Sequence, residues 1–533
     1  MRHTLKHVMQ VGLLFLLIFG MTTAVSAQDI DLAQEPAPTL VGGSDQPSIS
    51  GKAGNGNDET PGEWYAGDEP ENPVSNAPVL LFVPGLNNVA QVFWEDNDMY
   101  QTARDAGYQT AFLQLHDAGG ASADMWDNGE LLADKVKEIS EHFDDRKVTI
   151  IAYSKGGVDT QTALTYYGAS DYVDNVVTLS SPHHGSQLAD LAYSSWAGWL
   201  ADLIGAKGDG TYSMQMANME EFRSQTDSEP LAYAANYYTI GGTDWGSVFS
   251  SNWFGGTYLS QFGPNDGVVT AESSALPGGQ ELAIGDWNHT TVRTGETFPV
   301  FESYLMGQQS FGLNDSPGES ANEQIDPSFS QWVHGGELFH DQENNTNILV
   351  EDHVNTLEVQ VLTSDPLEDI ELIDTNGNKV YPEIKRHQHV EGVFAGAHSY
   401  TLSLNEPEAG EWTLNTDIKE DGAYLVVADY DKQTDVLKGS AAQEHTKRQF
   451  NYQLEMNDSA IQTDSLQITY KITQSDDPSN RQTYHSSGKT SPSQLFSVKN
   501  SGEVYNITID IEGLTTEGDP FTRTVIDSVY IDE

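Results

Sequence analysis

Apolar side chains between residues 79 and 240 come in short uninterrupted runs. Val79–Val83, Thr110–Leu115, Val148–Tyr153 and Val176–Leu179 each read as a strand with two apolar faces, and Asn236–Ile240 as a further one. Helical stretches separate them. In Glu130–Phe143, Leu131, Leu132, Val136, Ile139 and Phe143 recur near the helical period. Strands buried on both sides and alternating with amphipathic helices predict an α/β fold, a doubly wound and mostly parallel sheet, over residues 77–307.

Past residue 330 the apolar period drops to two. Leu357–Val361, Tyr400–Leu404, Leu466–Tyr470 and Tyr505–Ile511 alternate apolar and polar positions, as strands of all-β sandwiches do. Two such domains are expected, 331–435 and 445–533, divided near Lys432–Lys447. Asn376-Gly377 falls between Ile370–Ile373 and Lys379–Tyr381, where a hairpin turn belongs. A calcium loop at Asp374–Asn378 is the weaker reading, since its Gly stands fourth rather than sixth and carboxylates are few. Residues 28–76 and 308–330, rich in Pro, Gly, Asn and acids, read as an arm and a linker.

The N-terminus carries Arg2 and Lys6, an apolar run from Val11 to Met21, and Val25-Ser26-Ala27. That order predicts a signal peptide over residues 1–27 and a secreted, extracellular protein. The run is shorter than the roughly 20 apolar residues of a membrane span, so no stable membrane insertion is expected.

Charge then narrows the partners. Against 80 Asp and Glu stand 25 Lys and Arg, a formal net charge of −55, which repels phosphate backbones and excludes nucleic acid. With no cysteine there is no thiolate nucleophile and no thiolate metal ligand. Any nucleophile carries oxygen or nitrogen.

One serine has the right setting. Ala152-Tyr153-Ser154-Lys155-Gly156-Gly157 follows the third strand and opens a helical pattern, the context in which small neighbours let a sharp turn expose a hydroxyl. A hydroxyl needs a histidine base and a carboxylate to hold that base, in the chain order Ser, acid, His for such a fold. Asp266 in Asn265-Asp266-Gly267-Val268-Val269 and His289 in Asp286-Trp287-Asn288-His289 supply them. Two backbone N–H groups should face the developing oxyanion: that of Lys155, at a helix start, and that of Leu86, in the turn Val83-Pro84-Gly85-Leu86-Asn87-Asn88 after the first strand.

Together with Ser180-Ser181-Pro182-His183-His184-Gly185-Ser186, these motifs make Val79–Tyr304 resemble secreted bacterial lipases of the α/β-hydrolase superfamily. Ala152 in the first elbow position is similar to Bacillus-type lipases. The resemblance implies hydrolysis of carboxylic esters through an acyl-enzyme and covers under half of the chain. Pro84 replaces the usual His of the oxyanion turn, tolerable where the donor is backbone. Thr291 stands where Pseudomonas-type lipases carry a calcium-binding Asp, so that site is not expected, although Asp244 could remain as a ligand. His183 and His184, with His116 as a distant partner, could suggest zinc; adjacent histidines in a loop favour structural hydrogen bonding. No metal or cofactor is assigned.

The apolar stripe Leu188, Leu191, Ala192, Trp196, Trp199, Leu200 and Leu203 reads equally as a lid or as an ordinary packed helix. A serine esterase acting on triacylglycerol or other acyl esters is expected. An insoluble polyester is the second substrate, favoured by any exposed aromatic strip on the sandwiches. A non-catalytic surface-binding protein is the rival of another class. The sandwiches read equally as spacers or as binding modules.

Overall fold

A computed structural model describes residues 37–43, 59–118, 121–247, 250–306, 329–389, 392–432, 434–446, 448–489 and 492–532. The expected signal peptide and the 308–328 part of the expected linker lie outside the described residues.

The first half is an eight-stranded sheet in the order β1-β2-β4-β3-β5-β6-β7-β8. Its strands are β1 (Thr39–Gly42), β2 (Trp64–Ala66), β3 (Val79–Val83), β4 (Thr110–Leu113), β5 (Val148–Tyr153), β6 (Val173–Leu179), β7 (Asn236–Gly242) and β8 (Gln280–Gly285). From β4 through β3 to β8 all pairs are parallel, whereas β1 and β2 join antiparallel at the edge.

Alternating side chains of the central strands serve opposite faces. Val79, Leu81, Val83, Val148 and Ile150 pack with Leu132, Val136 and Ile139, while Leu80, Phe82, Ile151, Tyr153 and Val177 pack with Met99, Phe298 and Phe301. The helices that matter here are α1 (Met99–Asp105), α2 (Met125–His142), α3 (Gly156–Tyr166), α4 (Gln187–Tyr193), α5 (Gly198–Ile204), α6 (Asp209–Ser213), α7 (Met216–Thr226) and α8 (Trp253–Leu259). Helix α2 begins five residues before the periodic stretch because Asp124 caps it, accepting from the N–H groups of Trp126 and Asp127.

Two local readings change. The acidic arm contributes β1 and β2, and Trp64 is buried with its Nε1 donating to Glu138 at 2.9 Å. Strands of three and four residues carry too few positions for a period to register. The 188–203 stripe divides into α4 and α5 around Ser194–Ala197; Leu188, Leu191, Ala192 and Leu200 are buried, while Trp199 and Leu203 face outward.

The C-terminal half is two pairs of antiparallel sheets. In the first pair, Lys385–Gln388, His398–Asn405, Val354–Thr363, Gly422–Lys432 and Gln331–Leu338 form one sheet; Asn344–Val350, Gly410–Ile418, Leu367–Ile373 and Lys379–Val380 form the other. Asp374 closes the turn beside the last strand by accepting from the N–H groups of Asn376 and Asn378, and Gly377 takes φ of 81°. The second pair is Leu437–Thr446, Gln449–Met456 and Ser493–Ser497 beside Arg481–Ser487, Gln467–Gln474, Glu503–Leu514 and Pro520–Ile531. The stretch read as the division between sandwiches thus carries the strand Leu437–Thr446.

These sheets are not appended at a distance from the α/β half. Leu191, Leu200, Ala201 and Ile204 of α4 and α5 share one apolar core with Val333, Leu362, Leu425, Val427 and Ile526.

Candidate active site

Strand β5 ends at Tyr153 and α3 starts at Gly156, so the chain reverses within two residues. Ser154 takes φ of 54°, a conformation L-residues rarely hold, and persists there because its neighbours leave no alternative. A Cβ on Gly85 would stand 2.6 Å from Ser154 Cβ, and one on Gly156 would overlap the Pro84 carbonyl oxygen. Those clashes explain the glycines at 85 and 156.

The structure brings Ser154, His289 and Asp266 into one line. His289 Nε2 lies 3.0 Å from Ser154 Oγ, and His289 Nδ1 lies 2.7 Å from Asp266 Oδ2. Asp266 is fully buried, and its Oδ1 accepts from the N–H groups of Val268 at 2.9 Å and Val269 at 2.8 Å. Both lone-pair regions of the carboxylate are therefore occupied, which fixes its plane. Gly267 makes the turn possible, with φ of 95° and no room for a Cβ beside Asn252. His289 N–H also donates to the Asp266 carbonyl at 2.9 Å, so the two loops are tied through backbone as well as side chain.

Such an arrangement can do specific chemistry. An imidazole bonded to a hydroxyl on one nitrogen and to a buried carboxylate on the other can take the hydroxyl proton as the oxygen attacks a carbonyl carbon. The Leu86 and Lys155 residues flank Ser154 in the same cavity. Their N–H groups donate to no other described residue, which leaves both available to an incoming oxygen.

Some supporting residues carried no sequence signal. Tyr153 packs tilted against the His289 ring, centroids 5.0 Å apart, and Arg293 donates to the Tyr153 hydroxyl at 2.9 Å while covering its ring at 4.8 Å. Lys155 buries its ammonium between Asp117 and Asp159. The cavity also receives His389, Gly392, Val393 and Phe394 from the loop joining Lys385–Gln388 to His398–Asn405. With them in place the enclosed volume is about 50 Å³, against roughly 300–1,000 Å³ for ordinary small-molecule pockets. Val393 and Phe394 are buried, and Phe394 meets Phe254 edge-on at 5.5 Å. A contact such as Phe254 with Phe394, made between distant parts of the chain, leaves no local pattern to read.

The remaining candidates serve local structure. His183 is buried with Nε2 at 3.2 Å from Thr178 Oγ1, and burial holds its pKa well below the imidazole value, so it is neutral. His184 is likewise pushed down by burial. The backbone N–H of His116 donates to Asn128, Asp244 accepts from the Gly246 N–H, and Thr291 accepts from the Asn288 N–H.

Residues 78–223 match the α/β-hydrolase fold model. Among curated proteins the chain is 28% identical over 164 residues to triacylglycerol lipase 2 of Saccharomyces cerevisiae, which is 30% of this chain and 50% of that protein. The chain thus spans half the length of that relative. Among solved structures, the Bacillus licheniformis lipase BlEst2 in propeptide form is 32% identical with a TM-score of 0.74, covering 89% of this chain and 98% of its own. The mature form of the same lipase is 46% identical over 46% of this chain and 100% of its own, with a TM-score of 0.44. The chain therefore belongs to the α/β-hydrolase fold family, with lipases among its homologues.

Proposed function

We propose that this chain is a secreted serine ester hydrolase that cleaves acyl esters of the triacylglycerol type through an acyl-enzyme. The observation that carries the reading is the hydrogen-bonded line from Ser154 Oγ through His289 to Asp266. Ser154 Oγ attacks the ester carbonyl as His289 Nε2 removes its proton. Asp266 keeps Nδ1 protonated and stabilises the imidazolium. The oxygen of the tetrahedral intermediate receives hydrogen bonds from the N–H groups of Leu86 and Lys155, each such donor contributing about 2.7–4 kcal/mol. His289 then protonates the departing alcohol, and a water activated by the same nitrogen releases the acid.

The apolar wall of Leu86, Leu188, Met214, Phe254 and Val268 suits an acyl chain. On the C-terminal sheets the large apolar side chains exposed among the described residues are Tyr381 and Leu495, from separate sheet pairs, which is not the aromatic strip a solid polymer calls for. Instead His389, Gly392, Val393 and Phe394 line the cavity where a large substrate would sit. By analogy with the propeptide and mature forms of the Bacillus licheniformis lipase, residues beyond the catalytic half act in this chain as a propeptide that is displaced or removed before large esters enter. Among the described residues no helix is long and apolar enough to cross a membrane.

Hydrolysis of p-nitrophenyl esters from acetate to palmitate, before and after limited proteolysis, tests this reading. Turnover that rises after cleavage of the C-terminal half supports it. An intact fold that hydrolyses none of these esters in either state refutes it.

A further inference from the structure

The residue after the nucleophile has a side chain that the ester chemistry does not use. Lys155 is 1% exposed, and its Nζ lies 3.0 Å from Asp117 Oδ2 and 2.8 Å from Asp159 Oδ1. Both carboxylates are fully buried. Asn128 donates through Nδ2 to Asp117 at 2.6 Å and to Asp159 at 3.0 Å, closing a ring of four side chains. The Ala123 N–H donates to the other Asp117 oxygen at 3.0 Å, and the Asn128 Oδ1 accepts from the His116 N–H. The cluster therefore draws together the end of the β4 segment, α2 and the first turn of α3, directly beneath the turn that holds Ser154.

Such a cluster is an expensive way to gain stability. An ion group taken out of water loses several kcal/mol of hydration, and buried pairs are often matched by apolar side chains of the same volume. What an apolar side chain cannot supply is direction. An ammonium held from two sides clamps its own Cα, and the peptide N–H of that residue turns with it. An oxyanion donor must stand 2.7–3.1 Å from an oxygen that exists only in the transition state, so its orientation matters more than that of other backbone groups.

We propose that the Lys155 side chain, locked by Asp117, Asp159 and Asn128, is a positioning device that aims the Lys155 N–H at the oxyanion of the ester reaction. The inference rests on the ester-hydrolase reading above. Charge within the cluster is consistent with it. Two carboxylates face one ammonium; burial, ahead of the attraction of Lys155 and the repulsion of Asp117, raises Asp159 to about 7. Lys155 is raised because the two carboxylates outweigh its burial.

The test compares the full wild-type chain with Lys155→Met and with the charge-balanced triple variant Lys155→Met/Asp117→Asn/Asp159→Asn, which leaves no buried carboxylate unpaired if the single variant fails to fold. Far-UV circular dichroism and thermal unfolding establish the fold. Turnover of p-nitrophenyl butyrate gives kcat and KM, and an alkyl boronic acid, which becomes tetrahedral on the serine, reports oxyanion binding. The expected result is a folded triple variant whose kcat falls 10- to 100-fold, with KM within 3-fold and boronate affinity weakened by the same factor as kcat. A role in stability alone predicts a lower melting temperature with kcat and boronate affinity within 3-fold of wild type, and that outcome overturns the proposal. A wild-type chain without turnover both before and after limited proteolysis removes the ester-hydrolase reading itself, and this inference with it.

Discussion

Asn87, in the turn after β3, gives its side-chain N–H to the Gly392 carbonyl at 3.2 Å, bonding that turn to a hairpin 305 residues away in sequence. The hairpin is a built element: the His389 N–H donates to Ala397, the Gly396 N–H to His389, and the Ala395 N–H to Gly392. Through His389, Gly392, Val393 and Phe394 it lines the cavity of Ser154, and we take it as a cover over that residue.

The first prediction concerns that cover. Phe394 seats against Phe254 and supplies much of the cover's apolar contact. Replacing it, Phe394→Ala, should raise kcat/KM for p-nitrophenyl octanoate about 10-fold or more in the uncleaved chain, because a truncated core aromatic forfeits a few kcal/mol of packing. Unchanged turnover of long esters, with short esters hydrolysed normally, would show that the hairpin does not obstruct entry.

A second prediction follows from the seam between α4 and the last strand. Asp190 is fully buried; burial first, then Asp527, holds its pKa well above the ordinary carboxylate value. Asp527 is raised chiefly by burial, with Glu220 adding to it, while the Ser528 N–H and the Tyr452 hydroxyl pull the other way. Tyr258 faces both acids, and the nearby cation Arg223 is paired with Asp227. His184 and Arg223 line the same cleft as Asp527. Because the folded pKa values are raised, the contact is at full strength below the unfolded carboxylate pKa, about 3.9, and weakens as pH rises through the folded values. Asp190→Asn should therefore raise the melting temperature at pH 9 by more than at pH 5. A shift equal at both pH values would remove these carboxyls as the cause.

The elbow offers a third. Gly85→Ala puts a Cβ 2.6 Å from Ser154 Cβ and 3.0 Å from the Tyr153 carbonyl oxygen. Relieving that overlap should cost about 1–3 kcal/mol of stability and lower kcat on the order of 100-fold, since reacting groups displaced by about 1 Å lose that much. Unfolding midpoint and kcat of one preparation check both numbers, and a wild-type kcat would show that the turn yields without moving the serine.

The fourth concerns the buried acid. Asp266→Asn keeps the shape but offers an amide to His289, so the wrong imidazole nitrogen carries the proton. A fall in kcat on the order of 10⁴ is expected with little change in KM. A loss below 10-fold would exclude Asp266 as the partner of His289.

How much the sequence discloses depends on how local each feature is. The β3 and β5 strands lie at Val79–Val83 and Val148–Tyr153, where continuous apolar runs place them, because central strands of a covered parallel sheet bury every side chain. The positions of Ser154 and Asp266 are legible because each sits in a turn beside a glycine that has no room for a Cβ, Gly156 and Gly267, while His289 is read from its order after them in the chain. Edge strands β1 and β2 are too short to show a period. The partners of Lys155 are invisible because a buried Asp looks like any other in sequence; only the packing of α2 and α3 brings Asp117, Asn128 and Asp159 together. The hairpin over the site depends on docking between the two halves, which apolar alternation does not encode.

The most direct measurement of the central claim is covalent labelling with a small fluorophosphonate, followed by peptide mass analysis, on the wild-type chain and on Ser154→Ala, with p-nitrophenyl acetate turnover read in parallel. The account predicts one adduct, on the peptide bearing Ser154, and the loss of both labelling and several orders of magnitude of kcat in the variant. Turnover retained by a folded Ser154→Ala chain, or an adduct on another residue, would contradict it.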